Sequence, residues 1–207
     1  MNILFVNSSP RGGDSMSSKI ARILIEKIEK QSTTAVKTRD LFSPEITNVN
    51  SGFISATYTP SENRGEDAIA ALKLSDELIS EIQNADGVVI SSPFWNFSMP
   101  SVLKAYMDNI ARVGVTFKYT DKGPVGLIDS SKKVTICIAS GGVYSSSENS
   151  VLEANMKIFE TFFKFLGFGS VDFLVIEGVA YGEDAIKAGL EKVEQKAEEV
   201  AKKWLNN

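Results

Sequence analysis

The chain has 207 residues, 43% hydrophobic and 23% charged, with a net charge of −4. That is an ordinary globular composition with enough core for one α/β domain over residues 1–207, and it lacks the basic face that sequence-independent nucleic-acid binding requires. There is no histidine and a single cysteine, Cys137, which removes Ser–His–Asp and Cys–His machinery, the usual zinc spheres and any intrachain disulfide.

If the chain is an enzyme, a cofactor rather than a side chain is then expected to carry the chemistry, and no metal is expected. No 18-residue apolar run suggests a membrane span, and the first residues do not read as a signal segment. The expected compartment is the cytoplasm.

Residues 2–6 read as a buried strand whose apolar run, Ile3 to Val6, stops at Asn7. A Ser/Pro/Gly loop follows, and residues 15–30 form an amphipathic helix with Ile20, Ile23, Leu24 and Ile28 on one face. Residues 34–40 alternate like a peripheral strand. Residues 41–64 are polar and irregular, long for a compact domain. Residues 66–84 are helical, and residues 87–92 (GVVISS) are a central strand of parallel type.

The loop PFWNFSMP comes next, with Pro100 expected in the first turn of the following helix and Ser98 as its N-cap. That helix is predicted over residues 101–112. Residues 113–131 contain a hairpin or flap signalled by Asp121, Lys122, Gly123 and Pro124. A central strand at 133–139, a helix at 150–166, a strand at 171–176 and a Glu/Lys-rich helix at 182–205 complete the chain. Cys137 falls inside a strand and reads as an inert core residue.

Five strands alternating with helices imply a doubly wound parallel sheet, because right-handed crossovers place helices on both faces. The order 2-1-3-4-5 is favoured over a six-stranded Rossmann sheet. It brings the loops after strands one, three and four together at the switch-point crevice where such folds bind ligands.

Those three loops are the unusual ones. In the first, the hydroxyls of Ser9, Ser15 and Ser17 with the N–H groups of Met16 and Ser17 suit a phosphate at a helix N-terminus, although neither a P-loop nor a dinucleotide fingerprint is present. A polar turn with a serine cap is the alternative. In the second, Phe94, Trp95 and Phe97 either plug the core or wall a flat pocket, with Asn96 available to the polar edge of a ring. In the third, Gly141 and Gly142 after Ala139 and Ser140 let backbone approach a ligand, or else form a simple turn. Together they outline a flat polar heterocycle on a phosphorylated tail, which flavin mononucleotide (FMN) fits.

The segments NSSPRGGDSMS, SSPFWNFSMPSVLKAYMDNIARVGVTFKYTDKGPVGL, ASGG and EGVAYG resemble the FMN-dependent NADH azoreductase/quinone reductase family of flavodoxin-like proteins over nearly the whole chain. The resemblance implies a flavodoxin-like fold, FMN bound by Ser9, Ser15, Met16 and Ser17 at its phosphate and ribityl chain, and the ring along Phe94, Trp95, Asn96 and Phe97. The pyrimidine edge would meet residues 139–142, with Gly141 and Gly142 N–H groups facing charge near N1.

It further implies two-electron ping-pong hydride transfer from NADH through flavin N5 to quinones or azo compounds, and a homodimer whose partner contributes to the pocket. Phe117, Tyr119 and Phe162 are the acceptor-pocket candidates, and Tyr119 or Tyr144 the candidate proton sources. Two departures are visible: Ser140 stands where the family often has a basic residue, and Trp95 where tyrosine is common. The competing readings are a flavin or quinone reductase with other acceptors and no meaningful azo activity, and a one-electron carrier flavodoxin. A receiver domain is rejected because Asn7, Ser8 and Ser92 occupy its acidic positions.

Overall fold

A five-stranded parallel sheet in the order β2-β1-β3-β6-β7 organises the chain. Its strands are β1 (Asn2–Asn7), β2 (Ala35–Asp40), β3 (Gly87–Pro93), β6 (Lys133–Ala139) and β7 (Ser170–Ile176). In this computed structural model residues 1–42, 46–145 and 150–206 are described. The two remaining strands, β4 (Phe117–Thr120) and β5 (Gly123–Gly126), form the expected hairpin, closed by Asp121 and Lys122.

Alternation along each strand sends neighbouring side chains to opposite faces. Leu4, Val6, Val88, Ile90, Val134, Ile136 and Ile138 face α3 (Glu66–Asn84), α4 (Ser101–Ile110) and α5 (Val151–Leu166). Ile3, Phe5, Val89, Cys137 and Leu174 face α1 (Met16–Glu29) and α6 (Glu183–Leu205). β3 is buried throughout, as its apolar sequence requires, whereas β2 is an exposed edge.

Three local expectations change. The stretch 41–64 is not irregular throughout: α2 (Ser51–Tyr58) lies inside it, started by Asn50, whose Oδ1 accepts from the Phe53 N–H at 2.9 Å. Gly52 and the β-branched Ile54 and Thr57 had masked its periodicity; residues 43–45 lie outside the described set. Helix α4 ends at Ile110, short of Arg112, because the Arg112 N–H turns away to Thr116 Oγ1 at 2.9 Å. Pro100 stands at the cap position of α4 rather than in its first turn, and Ser98 does not cap it.

Candidate cofactor site at the carboxyl edge of the sheet

The carboxyl ends of β1, β3 and β6 are neighbours, so the loops that leave them share one rim. The first loop is shaped by Asn7, 5% exposed. Its Oδ1 accepts from Ser18 Oγ and Ser91 Oγ, both at 3.0 Å, and from the Ser9 N–H at 3.3 Å, while Nδ2 donates to the Ser9 carbonyl at 3.1 Å. Ser8 ties the loop to β3, its Oγ donating to the Ser91 carbonyl at 2.5 Å. The chain then turns at Gly12 (φ +51) and reaches α1.

Ser15 occupies the N-cap position of α1 with extended backbone, yet its side chain caps nothing. Its Oγ pairs instead with Ser17 Oγ at 2.9 Å. The N–H groups of Met16, Ser17 and Ser18 have no partner among the described residues, although Ser15, Ser17 and Ser18 are buried. A buried, uncapped helix start is costly unless an anion fills it. The serine-cap alternative for this loop is therefore not what the side chain does, and the donor set fits a phosphate.

In the second loop Trp95 and Ser98 exchange both backbone hydrogen bonds at 2.9 Å. The two residues between them, Asn96 (φ 47) and Phe97 (φ 65), both lie in the left-handed region, as a type I′-like turn demands. Asparagine tolerates this; phenylalanine pays about 1–2 kcal/mol. Phe94 is 8% exposed and fills the core, whereas Trp95 and Phe97 are 42% and 64% exposed. One aromatic is thus a plug, and two stand at the rim on a strained turn. A strained turn that holds Phe97 exposed beside an exposed Trp95 points to a ligand.

The third loop is bonded to the second: the Phe94 N–H donates to the Ala139 carbonyl at 2.8 Å. Ser140 is buried and its Oγ donates to the Gly142 carbonyl at 2.8 Å, so it braces the loop from within. The N–H groups of Gly141 and Gly142 have no partner among the described residues. Tyr144 closes the group, its ring 5.3 Å from Phe94 and 5.7 Å, edge-on, from Phe97. The three loops therefore gather as the strand order requires.

The acceptor-pocket candidates sit elsewhere in the protomer. Phe117 is buried, 4.6 Å from the Phe165 ring, with the exposed Tyr119 at 5.6 Å beyond it. The hairpin is tied where α5 gives way to β7, the Ile128 N–H donating to the Leu166 carbonyl at 3.0 Å. That is the end of the sheet where the strands begin. Phe162 is half-buried on α5, against Phe163 at 5.2 Å. Within one protomer these three are not joined to the Trp95 turn. Cys137 is fully buried, which pushes its thiol well above the ordinary range, as an inert core residue requires.

Asn7, Ser18, Ser91 and Glu177 were not singled out by sequence reasoning. The signal available was a polar residue closing an apolar strand, as Asn7 closes β1.

A family model described as flavodoxin-like fold matches residues 1–201. The chain is 40% identical over 201 residues to "FMN-dependent NADH:quinone oxidoreductase 1" of Rhizobium etli, covering 97% of this chain and 98% of that protein. Among solved structures it is similar to an azoreductase from Bacillus anthracis, with a TM-score of 0.84, 31% identity and coverage of 96% and 99% of the two chains. An FMN-dependent NADH-azoreductase of the same organism, solved in complex with FMN, matches with a TM-score of 0.82, 25% identity and coverage of 97% and 99%.

Proposed function

We propose that this chain, which belongs to the flavodoxin-like family matched over residues 1–201, is an FMN-dependent NADH:quinone oxidoreductase that also reductively cleaves azo compounds. The observation that carries the reading is the buried, uncapped start of α1 on the same rim as the strained aromatic turn and the unpaired glycine amides. When bound, FMN would supply the redox chemistry, two-electron hydride exchange with NADH and then with the acceptor in ping-pong alternation. A quinone needs one such cycle; cleavage of an azo bond to two amines needs four electrons and hence two cycles.

In this reading Ser9, Ser15, Met16 and Ser17 hold the phosphate and ribityl tail, by hydroxyls and by the positive end of α1. Trp95, Asn96 and Phe97 border the ring, and Phe94 buttresses their turn. Residues 139–142 meet the polar edge of the ring, where Gly141 and Gly142 N–H groups act as preorganised donors toward developing negative charge. A proton must accompany each hydride to the acceptor, and of the two candidate sources Tyr144 is the one on this rim, against Phe94 and Phe97.

We also read the chain as a homodimer. Helix α5 presents Val151 and Ile158, 40% and 50% exposed, beside Phe162 and Phe165, an apolar stripe that a second copy would cover. A partner's hairpin and α5 are then the source of the Phe117, Tyr119 and Phe162 side chains for the acceptor pocket. No described helix is long and apolar enough to cross a membrane. We place the enzyme in the cytoplasm, where NADH is regenerated.

NADH oxidation with benzoquinone and with an azo dye, run on FMN-loaded and FMN-free protein, tests the reading. The loaded protein is expected to turn over both acceptors and the free protein neither. A protein that stays colourless after incubation with FMN overturns it.

A further inference from the structure

The segment Glu177, Gly178, Val179, Ala180, Tyr181, Gly182 follows β7, outside the three loops of the cofactor site. Three consecutive backbone N–H groups in it nevertheless reach one of them. The N–H groups of Val179, Ala180 and Gly178 donate to the carbonyls of Ser140, Gly141 and Gly142 at 3.1, 3.1 and 3.0 Å. Three successive carbonyls are thus drawn to one side. In a trans peptide the N–H lies opposite the carbonyl it shares a plane with, and no peptide bond among the described residues is cis. The N–H groups of Gly141, Gly142 and Val143 must therefore turn the other way, from β7 toward the β3 side of β6. None of the three has a partner among the described residues. Consecutive N–H groups turned to one side make an anion-binding concavity.

Glu177 fixes the far end of the same loop. Its Oε1 accepts from the N–H groups of Tyr144 at 2.6 Å and Ser145 at 3.1 Å, and its Oε2 accepts from Ser145 Oγ at 2.5 Å. Tyr144 in turn touches both Phe94 and Phe97.

We propose that Glu177 and the three N–H donors after it are positioning groups: they hold the Gly141, Gly142 and Val143 amides toward the cofactor and so favour FMN in its reduced, negatively charged form over its oxidised form. The proposal rests on the FMN reading above. Glu177 acts through the loop, and its own negative charge works in the opposite sense, which makes the sign of its removal diagnostic.

The test is the two-electron midpoint potential of bound FMN, with FMN affinity measured alongside, in the wild-type protein, Glu177→Ala and Glu177→Gln. Loosening the amides is expected to cost reduced FMN about tenfold more affinity than oxidised FMN in Glu177→Ala, a potential about 30 mV lower. Glu177→Gln keeps one accepting oxygen for Tyr144 or Ser145 and falls between the two. An unchanged potential overturns the proposal, because loss of general stability alone does not alter it. A higher potential also overturns it, by showing that the carboxylate acts through charge. If Glu177→Ala does not fold, the direction of the Glu177→Gln shift decides in the same way. A wild-type protein that binds no FMN would overturn the functional reading instead, and is seen before any variant is made.

Discussion

The Phe94 N–H and the Ala139 carbonyl, 2.8 Å apart, join the aromatic turn to the glycine edge. This bond extends the β3–β6 ladder one step past Pro93, which pairs with Ala139 in register. Two loops 45 residues apart in number are therefore joined in one rim.

Within that rim the glycine pair is open to a direct test. A Cβ on Gly141 would meet only Ala180 Cβ at 3.7 Å, an ordinary contact, while one on Gly142 would meet the Tyr144 ring at 3.1 Å. Replacing both with valine is expected to leave a folded chain whose melting temperature changes by a few degrees at most. FMN affinity, read by quenching of flavin fluorescence, should fall at least tenfold. Wild-type affinity in the double variant would remove residues 141 and 142 from the site.

Phe97 separates stability from binding. Its left-handed backbone costs about 1–2 kcal/mol, which Phe97→Gly relieves. Against that stand about 1 kcal/mol for the lost edge contact with Tyr144 and up to about 1 kcal/mol for the freer unfolded chain. The balance is near zero. Urea unfolding of the FMN-free variant should match wild type within about 1 kcal/mol, while FMN binding weakens. A variant that is much less stable and binds FMN normally would make the turn a structural feature only.

Asn7 is expected to behave differently, because it serves both ends. Asn7→Ala leaves the hydroxyls of Ser18 and Ser91 and the Ser9 N–H short of a buried acceptor. A loss of about 3 kcal/mol is expected, since each orphaned group costs about 1–3 kcal/mol and Ser18 and Ser91 re-pair in part. FMN affinity should fall with it, as the serine loop loses its template. Unchanged urea midpoints would show that the network around Asn7 carries no weight.

The sheet order and the convergence of the loops could be read from the chain because apolar strands alternate with amphipathic helices and right-handed crossovers leave few arrangements. The hydroxyl-rich turn, the aromatic run and the glycine pair were visible as residues out of place for plain connections. What stayed hidden was relational. Nothing local in Asn7 says that three partners from two other elements converge on one oxygen. Nothing local in Glu177 says that its carboxylate reaches back 33 residues to Tyr144. Helix α2 was missed because its start depends on the Asn50 cap and its hold on Phe53 packing beside Leu72, contacts that a period count does not register. Ser98 looked like a cap because it stands two residues before Pro100 and the helix; the tight turn with Trp95 claimed its backbone first.

At the outer edge of the sheet, β2 is fastened by charge. Arg39 on β2 donates to Glu81 of α3 at 3.0 Å through Nε and to Glu77 through its guanidinium, and Lys37 lies 3.0 Å from Glu81. The Glu81 side chain is only 2% exposed. Burial alone would push its carboxyl up, but the hydrogen bonds and charges of Arg39 and Lys37 outweigh it and hold the carboxyl below its ordinary 4.5. A depressed folded-state value means stability that is full above about 4.5, the unfolded value, and is lost as pH falls through the lower native one. Glu81→Gln is therefore expected to cost about 3 kcal/mol at pH 7, since Arg39 keeps Glu77 but loses its buried partner. The gap between variant and wild type should narrow as the protein is acidified below pH 4.5. Urea midpoints measured at several pH values check this; two curves that run parallel into acid would show that Glu81 is not a source of the protein's acid sensitivity.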